Sequence, residues 1–295
     1  MKTQLPQAVR ERVEAIRKNR TSGAAELAVL AAETLILLSE RPDFSPLSLE
    51  QAARALIAAQ PTMAPIFNLA NRVLFHRPEE VAEACRDFLR RLETARRAVA
   101  ALAAARLQDG MTVLTHSYSS TVLDALLLAR MAGRRFQVVS TESRPLCEGV
   151  TLAKRLAQQD IPVKLIVDAA VLSFLPATQL VLVGADAISP RGLVNKSGTA
   201  LVALAAHNLQ VPIYALCSSQ KFLPARYPAS SEPPKDPSEI LGELVPNLTP
   251  VNYYFDSTPL EHFTGILTEA GILKPGGLKR HLRTLRIHPS LRVDS

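Results

Sequence analysis

The chain has 295 residues, 47% of them hydrophobic and none of them Trp, and it carries a formal net charge of +7. That length can bury a substantial core and accommodate two domains, and that composition excludes disordered, collagenous and fibrous classes. The positive balance favours anionic partners without choosing among them.

The first third reads as helix only. Residues 5–18 place apolar side chains at helical spacing, and a second helix opens at Ser22-Gly23-Ala24-Ala25-Glu26, with Ser22 as its expected cap. Residues 46–59, with Ser48 as the expected cap, then 62–74 and 78–107 give three more, and Ala-rich stretches such as 98–105 suit close packing. The pattern changes near residue 108. Short apolar or β-branched runs follow at 112–115, 137–140, 163–167, 180–183 and 212–216, and helical stretches follow the first four. Strands alternating with helices predict an α/β fold with a mainly parallel, covered sheet. Residues 223–238 read as a long loop, either a mobile flap or a surface excursion. Residues 252–273 read as a short ordered closing segment.

From Lys274 the chain carries Lys279, Arg280, Arg283, Arg286 and Arg292 with little acid. A basic tail of this kind can bind nucleic acid. It lacks a nucleic-acid motif and interleaved aromatic residues, so a solvated or frayed end is expected instead. Cys85, Cys147 and Cys217 lie far apart without metal-like spacing, which points to reduced thiols and a cytoplasmic setting. No apolar run is long enough to span a membrane, and the amino terminus lacks a signal-peptide core.

The chemistry gathers at the predicted strand ends. Val181-Leu182-Val183-Gly184-Ala185-Asp186 delivers a carboxylate to the edge where open α/β sheets bind ligands. Asn195-Lys196-Ser197-Gly198-Thr199 then offers a cation, an amide and backbone N–H groups at an expected helix start, a favourable place for phosphate. The same residues also read as a turn former and a solvated cap. Thr115-His116-Ser117-Tyr118-Ser119 follows the first strand. Glu142-Ser143-Arg144-Pro145-Leu146-Cys147-Glu148-Gly149 follows the second, where Arg144 can fork onto a phosphate or pair with Glu142. Asp168 follows the third strand, and Gln220-Lys221-Phe222 the fifth. Five such segments at one sheet edge predict a shared site for a phosphorylated substrate.

Taken together, these segments resemble one family in order and spacing. It joins the alpha, beta and delta subunits of translation initiation factor 2B to methylthioribose-1-phosphate isomerase and ribose-1,5-bisphosphate isomerase. Arg20 to Ala28 and Pro61 to Asn68 resemble its amino-terminal motifs, and Phe255 to Leu260 its closing segment. The likeness reaches to about residue 275. It implies a helical amino-terminal domain over 1–108, a Rossmann-like sugar-phosphate domain over 109–275 and a basic tail over 276–295. It also implies a homodimer or higher homo-oligomer, possible related subunits, and no cofactor or metal.

The family's isomerases move a carbonyl between C1 and C2 of a phosphorylated ribose with an Asp and a Cys. Asp186 matches the Asp, whereas Ser117 stands at the Cys position, and an unassisted hydroxyl is a far poorer base than a thiolate. Ser22 and Gln60 replace two arginines of the enzymes, with Arg20 two positions before Ser22. Glu148 replaces a Gln and would repel phosphate unless protonated or turned away. The resemblance therefore gives Asp186 and Ser117 as candidate catalytic residues. It gives Gly23, Ala24, Arg144, Glu148, Asn195, Lys196 and Lys221 as candidate ligand contacts. The expected function is binding of a phosphorylated sugar or nucleotide without catalysis, acting through assembly. The alternative is an aldose–ketose isomerase using Asp186.

Overall fold

The computed structural model describes residues 5–20, 22–227, 232–243 and 245–292. Five helices come first: α1 (Gln7–Lys18), α2 (Ala24–Ser39), α3 (Pro46–Ala59), α4 (Ala64–Val73) and α5 (Val81–Ala104). In α1, Val9, Val13 and Ile16 recur at helical spacing and are buried. Helix α2 is apolar on nearly every face, which suits its place between α1, α4 and α5. Two caps differ from the expectation. Gly23, not Ser22, caps α2, and no side chain bonds there. Ser22 instead pairs with Asn19, its N–H donating to Asn19 Oδ1 at 2.9 Å. Helix α3 is capped by Ser45, and Ser48 is the third helical residue, returning a bond to the Ser45 N–H at 3.0 Å. A capping box places its partner three residues in, so the cap and its partner here are both serines and either suits the cap by residue type.

Beyond α5 come β1 (Thr112–His116), α6 (Ser120–Met131), β2 (Gln137–Thr141), α7 (Glu148–Ala157), β3 (Val163–Ile166), α8 (Val171–Phe174) and β4 (Leu180–Val183). Then follow β5 (Ala187–Ser189), β6 (Gly192–Lys196), α9 (Thr199–Asn208), β7 (Ile213–Leu216), β8 (Phe255–Thr258), β9 (Gly265–Thr268), β10 (Gly271–Leu273) and α10 (Pro275–Leu282). The main sheet runs β10-β9-β7-β4-β1-β2-β3 and is parallel except for the β10–β9 hairpin. Its five expected strands are present, and the closing segment adds the last two.

Strand residues alternate between two cores. Val113, Val138, Leu180 and Leu182 pack with α5, α6 and α7. Leu114, Val139, Val181 and Val183 pack with α9 and α10 on the other face. Helix α5 belongs to both halves. Phe88 and Leu92 sit in the helical bundle, while Val99, Ala100 and Ala103 cover the sheet.

A second, antiparallel sheet, β5-β6-β8, grows from the exit of β4. Helix α9 starts at Thr199, where the Asn195–Thr199 group leads, but the amide and the cation do not sit on it, since Asn195 and Lys196 both lie on β6. The tail is also unlike the frayed end expected. Leu278 and Leu282 of α10 are fully buried, and Leu291 packs against Phe67 and Ala187. The alternation of basic residues concealed three apolar anchors. No described helix is long and apolar enough to cross a membrane.

Candidate functional site

Strands β1, β2, β4 and β7 end on one side of the sheet, against the starts of α2 and α4 and the small sheet. Gly184 follows β4 where a Cβ would lie 2.9 Å from the side chain of Ser119. Only glycine permits that approach, which sets Asp186 beside the start of α6. The Asp186 backbone is fixed on both sides. Its N–H donates to Val194 O at 2.8 Å, and its carbonyl accepts from the Ala64 N–H of α4 at 3.2 Å. Burial pushes the Asp186 carboxyl above its ordinary range, against the pull of Lys221 and Lys196.

Ser117 turns off the end of β1 with φ 65°, and its N–H donates to Ser143 Oγ at 2.7 Å. Ser117 and Asp186 line the same cavity of ≈ 70 Å³. His116, 1% exposed, is not available to the serine. Its Nε2 faces Ser197 O at 2.9 Å, so that nitrogen carries the proton. Its Nδ1 therefore accepts from Thr141 Oγ1, 2.7 Å away. Thr141 Oγ1 in turn accepts from Ser143 Oγ at 3.1 Å. Burial lowers the His116 pKa, consistent with a neutral ring that serves as a strut. Gly198 makes room for it, since a Cβ there would touch the ring at 2.9 Å.

Lys196 is 3% exposed. Its Nζ donates to Glu148 Oε1 at 2.8 Å and sits 5.0 Å from the centre of the Tyr254 ring. Glu148, first residue of α7, is thus turned onto this lysine and neutralises it. The anion site expected at the start of α9 is also filled. The Gly198 and Ala200 N–H groups donate to Asp256 Oδ2 at 2.7 and 3.2 Å. Asn195 donates to Thr199 Oγ1 at 3.0 Å and lines the cleft from β6.

Lys221 reaches Ala185 O and lines a ≈ 40 Å³ cavity with Gly23, Ala24, Asp186 and Asn195. Its turn is held from the helical half. Asn68 of α4 donates to Gln220 O at 2.7 Å and to Phe222 O at 2.9 Å. Arg144 is exposed and lines neither cavity. Its N–H and that of Ser143 donate to Asp168, which leaves Asp168 a loop brace. Gln60 is no phosphate ligand, because its amide donates to Ile16 O and Asn19 O at the end of α1.

A third cavity of ≈ 190 Å³ continues past Arg20 and Tyr254. Arg20 meets Glu239 at 2.8 Å and Asp236 at 3.8 Å. Tyr254 also donates to Glu239 at 2.6 Å. Of the long loop, residues 228–231 lie outside the described residues, and the stretch around 232–239 is strapped to Tyr254 and Arg20. Glu232 accepts from the Tyr254 N–H at 2.8 Å. Sequence reasoning missed Tyr254, Glu239, Asp256 and Asn68. Asn68 closes a quoted motif, but nothing in its spacing shows which loop it holds.

The Initiation factor 2 subunit family matches residues 14–275. The chain belongs to that family. It is 35% identical to a putative translation initiation factor eIF-2B subunit 2-like protein of Pyrococcus horikoshii, over 92% of this chain and 98% of that one. It is also 35% identical to the ribose 1,5-bisphosphate isomerase of Archaeoglobus fulgidus, over 90% of each chain. The crystal structure of the Pyrococcus horikoshii OT3 translation initiation factor eIF-2B superposes with a TM-score of 0.84 at 34% identity, covering 92% and 98%. The family member in hand thus has relatives named for a translation factor and for an isomerase at equal identity.

Proposed function

We propose that this family member binds a phosphorylated sugar or nucleotide in the cleft at Asp186, without turning it over, and acts through assembly with copies of itself or related subunits. The observation that carries this reading is the state of Ser117. The one imidazole next to it is spent on Thr141 and Ser197, so that ring cannot activate the hydroxyl. Lys196, which would draw a phosphate deep into the cleft, is already neutralised by Glu148. Support for a ligand comes from Lys221, Asn195 and the start of α2, which has no side-chain cap and faces the same cavity. The dipole of that helix favours an anion.

A second reading, aldose–ketose isomerisation, is favoured by the raised carboxyl of Asp186. A protonated carboxyl in a closed cleft could protonate a ring oxygen and then shuttle protons between sugar oxygens. One experiment separates the two. The purified protein is screened by thermal shift against ribose 1,5-bisphosphate, methylthioribose 1-phosphate, pentose phosphates and nucleoside monophosphates, since a ligand of the folded state raises its stability by mass action. The shifted mixture is then followed by NMR. Binding without new sugar resonances is expected, and Lys221→Ala should weaken it about tenfold, near the lower end of the range for a charge-assisted hydrogen bond. Appearance of a ketose would establish the isomerase instead. No shift with any compound would end the ligand reading altogether.

A further inference from the structure

An open groove of ≈ 860 Å³ lies apart from the cleft. It runs between the end of α4 and the segment after α10, and Arg226, Arg283, Arg286 and Arg292 line it with Phe75 and Ile287. None of the four arginines forms an ion pair or a side-chain hydrogen bond with a described residue. Arginines such as Arg72, Arg91 and Arg96 are paired, and others such as Arg10, Arg130 and Arg191 stand singly among the described residues, so it is the clustering of four that marks this groove.

The arginines stand on a fixed scaffold. Asn71 of α4 donates to Arg286 O at 3.0 Å and accepts from the His288 N–H at 2.8 Å. The Ala225 N–H donates to Leu282 O at 3.1 Å, and Leu291 is buried beyond them. The guanidinium stems therefore leave a backbone tied to α4 rather than a loose end. Phe75 is 54% exposed, with its ring edge-on to His288 at 4.9 Å.

We infer that this groove binds single-stranded nucleic acid. Four charges without a partner among the described residues, gathered in one channel, call for a polyanion. All four are arginines, whose planar forks match phosphate oxygens and stack on bases. Phe75 supplies the apolar platform that a phosphate backbone alone would not need. Aromatic and basic residues do not alternate in the tail's sequence. The fold brings them together by docking the tail beside the last turn of α4. The groove shares no lining residue with the Asp186 cleft, so its occupant and the cleft ligand are independent.

The test is fluorescence anisotropy of a short labelled single-stranded oligonucleotide of mixed sequence, titrated with the full chain at several salt concentrations. Binding should weaken as salt rises. The Arg283→Ala/Arg286→Ala double variant should lower the logarithmic salt slope by about 0.7 for each phosphate contact removed. Phe75→Ala should weaken binding roughly tenfold and leave the slope alone, as loss of one stacked base would. Neither variant should alter the thermal shift given by a phosphorylated sugar. If the double variant loses its cooperative melt, Arg226→Gln and Arg283→Gln carry the same test singly. Absence of binding at low salt overturns the proposal, as does equal binding by wild type and variants. Displacement by polyglutamate at matched charge would assign the groove to acidic peptides and overturn it as well.

Discussion

The cleft and the carboxyl-terminal groove hold comparable sets of cations in opposite states. In the cleft, Lys196 rests on Glu148 and Arg20 on Glu239 and Asp236. In the groove, four arginines stand without a described carboxylate. A buried cation must be compensated wherever it lies, as Glu148 compensates Lys196, whereas Arg20 is half exposed and its pairing is not forced by burial. An exposed cation needs no partner, so clustering several of them is a feature of surface recognition rather than of folding. Charge alone thus says little about where an anion binds. What matters is whether the charge is already spent.

That contrast breaks most completely at Gly149. A Cβ there would sit 1.8 Å from Thr141 O, a position no side chain can share. Gly149→Ala should displace α7, and Glu148 with it, at a cost above about 4 kcal/mol. Loss of a cooperative urea transition is the expected read-out, and a wild-type midpoint would refute the close approach.

Removing one partner of the cleft pair comes next. Glu148→Ala strands the buried Lys196 and should cost about 3 kcal/mol in chemical denaturation. Glu148→Gln should cost less, because the amide oxygen still accepts from Nζ. It should also strengthen binding of a phosphorylated sugar about tenfold, since one unit of opposing charge is gone. Unchanged affinity in calorimetry would show that Lys196 never meets the ligand.

A smaller effect follows from His116. Burial holds its folded pKa below the ordinary 6.5. Between those two values the unfolded chain binds more protons, so the contribution of His116 to stability falls as pH drops below about 6.5. The slope is at most about 1.4 kcal/mol per pH unit. Asp186, with its carboxyl raised, contributes the opposite slope in the carboxylate range, its share of stability being lost as pH rises. The comparison of wild type with His116→Gln isolates the histidine. Parallel pH profiles for the two would mean the ring is not a neutral strut. Smallest of all is Arg286→Ala, which should move stability by less than about 0.5 kcal/mol because the guanidinium has no described partner. A larger loss in a thermal melt would place that arginine in the fold after all.

Much of the fold is legible in the sequence because periodicity survives translation into structure. The five parallel strands and the helices that cover them follow from apolar runs and caps. The small sheet does not. Gly192 to Lys196 is short and half polar, and its pairing with Phe255–Thr258 joins segments far apart in sequence. Ser45 and Ser48 show the same limit at close range, since two serines three apart both qualify as a cap. The cleft was legible in membership, with Asp186, Ser117, Glu148, Asn195, Lys196 and Lys221 brought together and Arg144 left outside. Its electrostatics were not. Which carboxylate faces which cation is a matter of side-chain direction, and Asp256 fills the α9 amides from a strand with no link to them in sequence.

The two hydrogen bonds of Asn68 have a consequence for how the chain comes into being. Its acceptors lie 152 and 154 residues downstream. During synthesis α4 leaves the ribosome long before the turn it must grip. For that whole interval the helical half stands complete while Lys221 has not been made. A nascent chain of this protein therefore carries the grip of α4 before it carries anything to hold, and the closing of the Asn68 contacts marks the moment at which the second half has arrived.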